Sequence, residues 1–299
     1  MDCKLNISMD IEDVLGDQAL LLYILKELVV FCNAEKIPCD LYISGVKLSM
    51  LISQDESFVN EMKTMPFIKV GYHGNTHSYV PVVLLNDDNQ SSLFMDYIEN
   101  SFFNVNEKKM EHGLGGLVLF KKYFDSRIYR CPGLCWSPLY LKFMKNNGFN
   151  VTTIDIDFIK SFECDEVFFV PVEDIPLESF DSVEDVSKAV EKKREVSLYL
   201  HPAKLLYDEF WDKSENRKKK DDFLYRLDKM KKMLFNLKEK YEIHNVEFFT
   251  KPKVDSVDLR RKFLMSMLSK WRWSQMPRNY FSERHLFDCM RMIDQGFLA

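Results

Sequence analysis

Two histidines stand four positions apart in VGYHGNTHSY, His73 and His77. Such a pair shares one face when it lies on a helix, but Gly74 and Asn75 between them favour a turn or irregular loop after a strand. Either geometry can bring both imidazoles to one ion, and a catalytic metal site adds a third protein ligand and an open position. Carboxylates for that role occur in SMDIED, which carries Asp10, Glu12 and Asp13 directly after a strand-like run. Acids at a strand's carboxyl end are where α/β folds place their chemistry, although the same residues also suit a helix N-cap. Two more polar residues end strand-like runs, Arg130 in YRCPG and His201 in SLYLHPAK. Taken singly, each has an ordinary structural reading. Cys131 and Cys135 in CPGLC lack the second cysteine pair of a structural zinc site.

The chain around these residues alternates short β-rich runs with longer amphipathic ones, the pattern of an α/β fold with a mostly parallel sheet. KLNISMD, CDLYISG, FIKVGYH, RIYRCPG, VTTIDIDF, VSLYLHP and NVEFFT read as strands. ALLLYILKELVVFCNAEK, PLYLKFMKNNGF and KKDDFLYRLDKMKKMLFNLKEKYE read as helices. Seven or eight strands with interleaved helices point to a closed or nearly closed barrel over residues 1–254, followed by a helical extension over 255–299. In the extension Leu259, Phe263, Met267 and Trp271 recur at helical spacing beside Arg260, Arg261, Lys270 and Arg272. A helix of that kind packs on the barrel or on another subunit of a homo-oligomer, with peripheral membrane contact as the alternative.

At 299 residues and 46% hydrophobic content the chain can bury a substantial core. A formal net charge of −5 gives no electrostatic footprint for nucleic acid, which is excluded as a partner. Seven scattered cysteines do not form a disulfide framework and fit a reducing compartment. The acids of MDCKLNISMDIEDV are unlike a signal peptide, and ALLLYILKELVVF, broken by Lys26 and Glu27, falls short of a bilayer span. A cytoplasmic protein is expected.

The order of the motifs adds what none of them carries alone. The acid cluster, His-x-x-x-His, Arg-x-Pro-Gly, GFNVTTIDID and LYLH resemble, from about residue 4 to 250, the polysaccharide deacetylase family, the NodB-homology domain of carbohydrate esterase family 4. KFMKNNGF is similar to the helix and glycine that follow the arginine motif there. The resemblance implies an irregular seven- or eight-stranded (β/α) barrel of the NodB-homology type. It also implies a metal-dependent hydrolase that removes an N-linked acyl group, typically acetyl, from a carbohydrate. Asp10 would be the general base, Arg130 the residue that orients it, and His201 the general acid. His73, His77 and one acid would hold the metal.

Two departures from the family pattern matter. Its commonest first motif has adjacent aspartates, whereas Ile11 follows Asp10 here, so the second acid is Glu12 or Asp13. Glu12 shares the strand face of Asp10 and is preferred; Asp13 takes over if the chain turns. The usual glycine-proline after the acids is also absent, which gives the first loop a different path. Zinc suits two imidazoles and a carboxylate, and nickel, cobalt or iron can use the same ligands. Asp155 or Asp157 is expected to orient His201, and Tyr42, Tyr72 and Trp136 to wall the sugar site. The substrate is expected to be an intracellular acylated sugar or glycan intermediate. Hydrolysis of another C–N bond, formyl or cyclic amide, and a non-catalytic carbohydrate-binding or assembly role remain the alternatives.

Overall fold

A computed structural model describes residues 3–12, 14, 16–75, 99–104, 109–112, 115–134, 138–154, 161–164, 166–173, 175–208 and 219–249. In chain order the strands are β1 (Lys4–Ile11), β2 (Cys39–Ile43), β3 (Ile68–Tyr72), β4 (Ser101–Asn104), β5 (Lys109–His112), β6 (Ile128–Arg130), β7 (Val151–Ile154), β8 (Phe162–Cys164), β9 (Val167–Pro171), β10 (Glu195–Leu200) and β11 (Glu242–Ile243). The helices are α1 (Gln18–Ala34), α2 (Gly45–Met62), α3 (Gly116–Tyr123), α4 (Pro138–Asn146), α5 (Val183–Ala189), α6 (Pro202–Leu206) and α7 (Phe223–Lys240).

Seven parallel strands run in the order β10-β1-β2-β3-β6-β7-β9. The ring closes where Val172, just past β9, bridges in parallel to Ser197 of β10, and the Glu173 N–H donates to the Ser197 carbonyl at 2.9 Å. The chain therefore forms an irregular seven-stranded (β/α) barrel. Antiparallel β8 flanks β9, and β4 and β5 make a separate hairpin.

β1 shows how strand periodicity sorts the residues. Leu5, Ile7, Met9 and Ile11 alternate with Asn6, Ser8 and Asp10, and all of them are buried. The apolar set packs with Leu21, Ile24, Leu25, Leu28 and Cys32 of α1, which recur at helical spacing on one face. Asp17 caps that helix by accepting the Leu20 N–H at 3.1 Å. The polar set turns inward, so the upper half of the barrel is lined by hydrogen-bonding groups. Ile128, Val151, Phe168 and Val170, joined by Val246 and Phe249, form a second buried apolar cluster.

One expected strand is replaced. NVEFFT contains a 3-10 turn at Val246–Phe248, and the strand lies earlier, in β11, which pairs with Lys4 and Leu5 of β1. The cause is buried Asp40, whose carboxylate accepts the Asn245 side-chain N–H at 2.8 Å and the Val246 backbone N–H at 3.0 Å. Turning the chain inward satisfies an acid that burial alone would leave costly. No helix among the described residues is long and apolar enough to cross a membrane. The expected extension, 255–299, lies outside the described residues.

Candidate active site

Strand register gathers the site at the carboxyl ends of the barrel strands. Asp10 of β1 lies opposite Tyr42 of β2, Arg130 ends β6 opposite Thr153, and His73 and His201 directly follow β3 and β10. Arg130 has no exposed surface. Its Nη1 donates to Asp10 Oδ1 at 2.6 Å, Nη2 to Ser8 Oγ at 2.8 Å and Ser197 Oγ at 3.1 Å, and Nε to Thr153 Oγ1 at 2.6 Å. The Tyr42 ring centre lies 4.1 Å from the guanidinium carbon, a cation–π contact. Burial alone would raise the Asp10 carboxyl; the Arg130 charge, then His73 and His201, and the Arg130 hydrogen bond outweigh it and hold the group below the ordinary 3.8. Asp10 is thus kept as a carboxylate in fixed orientation.

Across from this pair, Glu12 Oε1 lies 3.9 Å from His73 Nε2 and 3.6 Å from His201 Nε2. Both separations exceed the range of a hydrogen bond, about 2.7–3.2 Å. They approach the roughly 3.3–3.4 Å between ligand atoms that metal–nitrogen bonds of about 2.0–2.1 Å produce around one tetrahedral ion. The other ring nitrogens fix the tautomers. His73 Nδ1 lies 2.9 Å from the Arg130 carbonyl, which accepts only if Nδ1 carries the proton. His201 Nδ1 lies 2.8 Å from Glu178 Oε1, and the His201 backbone N–H donates to Glu178 Oε2 at 3.2 Å. Each histidine therefore presents Nε2 towards Glu12, the arrangement in which metal-binding imidazoles are held. Ligand atoms of Asp10, Glu12 and His201 lie within 4.8 Å of one another. The donor set, carboxylates and oriented imidazoles, fits a divalent transition-metal ion. Burial alone would lower the His201 imidazole; the hydrogen bond to Glu178 and the charges of Glu12, Glu178 and Asp10 outweigh it and hold it above 6.5.

Asp10, Glu12, His73, Arg130 and His201 thus converge. Asp13, His77, Trp136, Asp155 and Asp157 lie outside the described residues, as does Cys135. One expectation is corrected. Tyr42 and Tyr72 have no exposed surface and offer no face to a sugar. Tyr42 lies against Arg130 inside the barrel, and Tyr72 packs on Phe120 and Phe149. Among the described residues, a carboxylate on His201 is that of Glu178, in the 3-10 turn Leu177–Ser179, which carries no periodicity or motif to reveal it. Ser8 and Ser197 were legible only as inward positions of strands whose register was unknown.

No protein-family profile and no curated protein sequence matches the chain. Solved structures do. A 4-alpha-glucanotransferase from Thermococcus litoralis superposes with a TM-score of 0.57 at 8% identity, covering 90% of this chain and 46% of that one. The chain thus spans about half the length of that enzyme. A putative polysaccharide deacetylase from Mycobacterium smegmatis superposes with a TM-score of 0.52 at 10% identity, covering 85% of this chain and 94% of that one. At such identities the likeness is one of fold, and the fold of this chain is the NodB-type barrel found in that putative polysaccharide deacetylase.

Proposed function

We propose that the protein is a metal-dependent hydrolase that removes an N-linked acyl group, acetyl in the simplest case, from a carbohydrate. The observation that carries this reading is the convergence of an ionised, arginine-held Asp10 with Glu12 and two imidazoles whose Nε2 atoms are turned to the same point. Glu12 and His73 would hold the ion together with His77. Zinc suits the set best, and nickel, cobalt or iron use the same donors. When bound, such an ion polarises an acyl carbonyl and lowers the pKa of water.

The protein's own groups supply the proton transfers. Asp10, ionised and held by Arg130, takes a proton from the attacking water as the new C–O bond forms. His201, held by Glu178 and with its pKa raised, donates a proton to the nitrogen as the C–N bond breaks. Arg130 keeps Asp10 charged and aimed rather than touching substrate. Buried free thiols at Cys3, Cys32 and Cys39 support a reducing, intracellular setting and hence an intracellular acylated sugar or glycan intermediate.

The test is acetate release from N-acetylated sugars by metal-loaded protein. Asp10→Asn and His201→Ala are each expected to lower turnover by about 10²–10⁴-fold, with His201→Ala keeping its metal. Loss of metal in His201→Ala would instead make that imidazole a ligand, and unchanged turnover in both variants would remove the assignment.

A further inference from the structure

We propose that Glu99 and Asn75 are positioning residues that lock the backbone carrying His73 and thereby set how tightly the site holds its metal ion. The inference rests on the metal-site reading above and concerns residues outside the proposed ligands and catalytic groups.

His73 leaves β3 on a segment that turns at Gly74, where φ is +71°. Several polar groups of that segment are engaged by other elements. The His73 N–H donates to the Ile43 carbonyl at 3.1 Å. The Gly45 and Val46 N–H groups, at the start of α2, donate to the Gly74 and Asn75 carbonyls, both at 2.9 Å. Amides in the first turn of a helix have no partner within it, so the loop and the helix satisfy each other. At the start of α3, the Gly116 N–H donates to Asn75 Oδ1 at 3.2 Å. Two helix N-termini therefore converge on one asparagine, and only glycines allow it. A Cβ on Gly116 would lie 2.3 Å from Asn75 Oδ1 and 2.7 Å from the Gly45 Cα.

Glu99 closes the clamp from the other side. Its carboxylate accepts the Tyr72 hydroxyl, the Tyr140 hydroxyl at 3.3 Å and the Asn75 backbone N–H. One buried side chain thus grips the residue before His73 and the residue two after it. None of these three donors carries a charge, and an acid buried among neutral groups is less stable than an apolar side chain of its size. Its presence is explained by the backbone it fixes. The consequence reaches the ring, because His73 Nδ1 meets the Arg130 carbonyl only while the backbone stays where Glu99 and Asn75 hold it.

The test is Zn2+ affinity, measured on folded, full-length protein by competition with a chromogenic chelator. Glu99→Leu removes the acceptors, Asn75→Ala removes one acceptor with little change in bulk, and Glu99→Gln keeps an acceptor to which tyrosine hydroxyls can readjust. Glu99→Leu and Asn75→Ala are expected to weaken Zn2+ binding by about 10–100-fold, with Glu99→Gln close to wild type. If Glu99→Leu does not fold, Asn75→Ala decides the matter. Folded variants that bind as tightly as wild type overturn the proposal alone, as does a Glu99→Gln loss equal to that of Glu99→Leu. A wild-type protein that binds no Zn2+ overturns the metal-site reading and the proposal with it.

Discussion

A guanidinium with no exposed surface is tolerable only if its charge and donors are met, and Arg130 meets an acid, two serines, a threonine and an aromatic face. Removing it strands the Asp10 carboxylate and takes a donor from three buried hydroxyls. Arg130→Met is accordingly expected to cost about 3–5 kcal/mol in urea denaturation at neutral pH; a loss under 1 kcal/mol would mean that the pair is solvated. Glu99 gives the opposite electrostatic signature. Burial, opposed by hydrogen bonds from Tyr72, Tyr140 and Asn75, pushes its carboxyl up to about 7 from the ordinary 4.5. A raised carboxyl favours the folded state most below 4.5, and that contribution falls away as pH rises towards 7. Glu99→Gln should therefore gain stability relative to wild type across this window, by about 3 kcal/mol for a shift of this size. Parallel stability–pH curves for the two proteins would contradict it.

At the scale of elements, the barrel wall and the site share one constraint, since the side chains that fill the interior also aim the proposed catalytic groups. Gly71 of β3 faces the Tyr42 ring, and a Cβ there would lie 2.9 Å from both that ring and Ile128 Cγ1. Gly71→Ala forces Tyr42 off its place against Arg130. The expected cost is about 1–3 kcal/mol, together with a fall in turnover larger than the fraction unfolded explains; wild-type activity in a folded variant would show that Tyr42 is mere filler. Ser197 carries three jobs on β10. Its backbone closes the barrel, while its hydroxyl accepts from Arg130 and donates to Asn6 Oδ1 at 2.7 Å. Asn6 in turn donates to Asp40 at 2.6 Å, so a buried hydrogen-bonded chain links the site to the acid that bends the 245–249 segment.

For the molecule as a whole, the strands that end in chemistry were the legible ones. β1, β2, β3, β6, β7 and β10 are β-rich runs in which polar residues stand at the carboxyl end, because a parallel strand covered on both faces reads as nearly continuous burial. α2 was harder to read, since Gln54, Asp55 and Glu56 interrupt its apolar face and Asp55 departs from helical geometry. NVEFFT looked like a strand because its turn answers a buried acid two hundred residues away, which no local pattern records. The site followed the same division. Asp10, Glu12, His73, Arg130 and His201, which converge in the structure, were singled out by motif order, whereas Glu178, Glu99 and Ser197 reach their partners only through the fold. The central claim is that these residues form a metal-dependent hydrolytic centre, and metal content per chain tests it most directly. Elemental mass spectrometry should be run on wild type, Glu12→Ala and His73→Ala, each purified without a metal-binding tag. The expected result is about one transition-metal ion per wild-type chain and a large loss in both variants. A wild-type protein that takes up no metal, even after addition of zinc, nickel or cobalt, would contradict it.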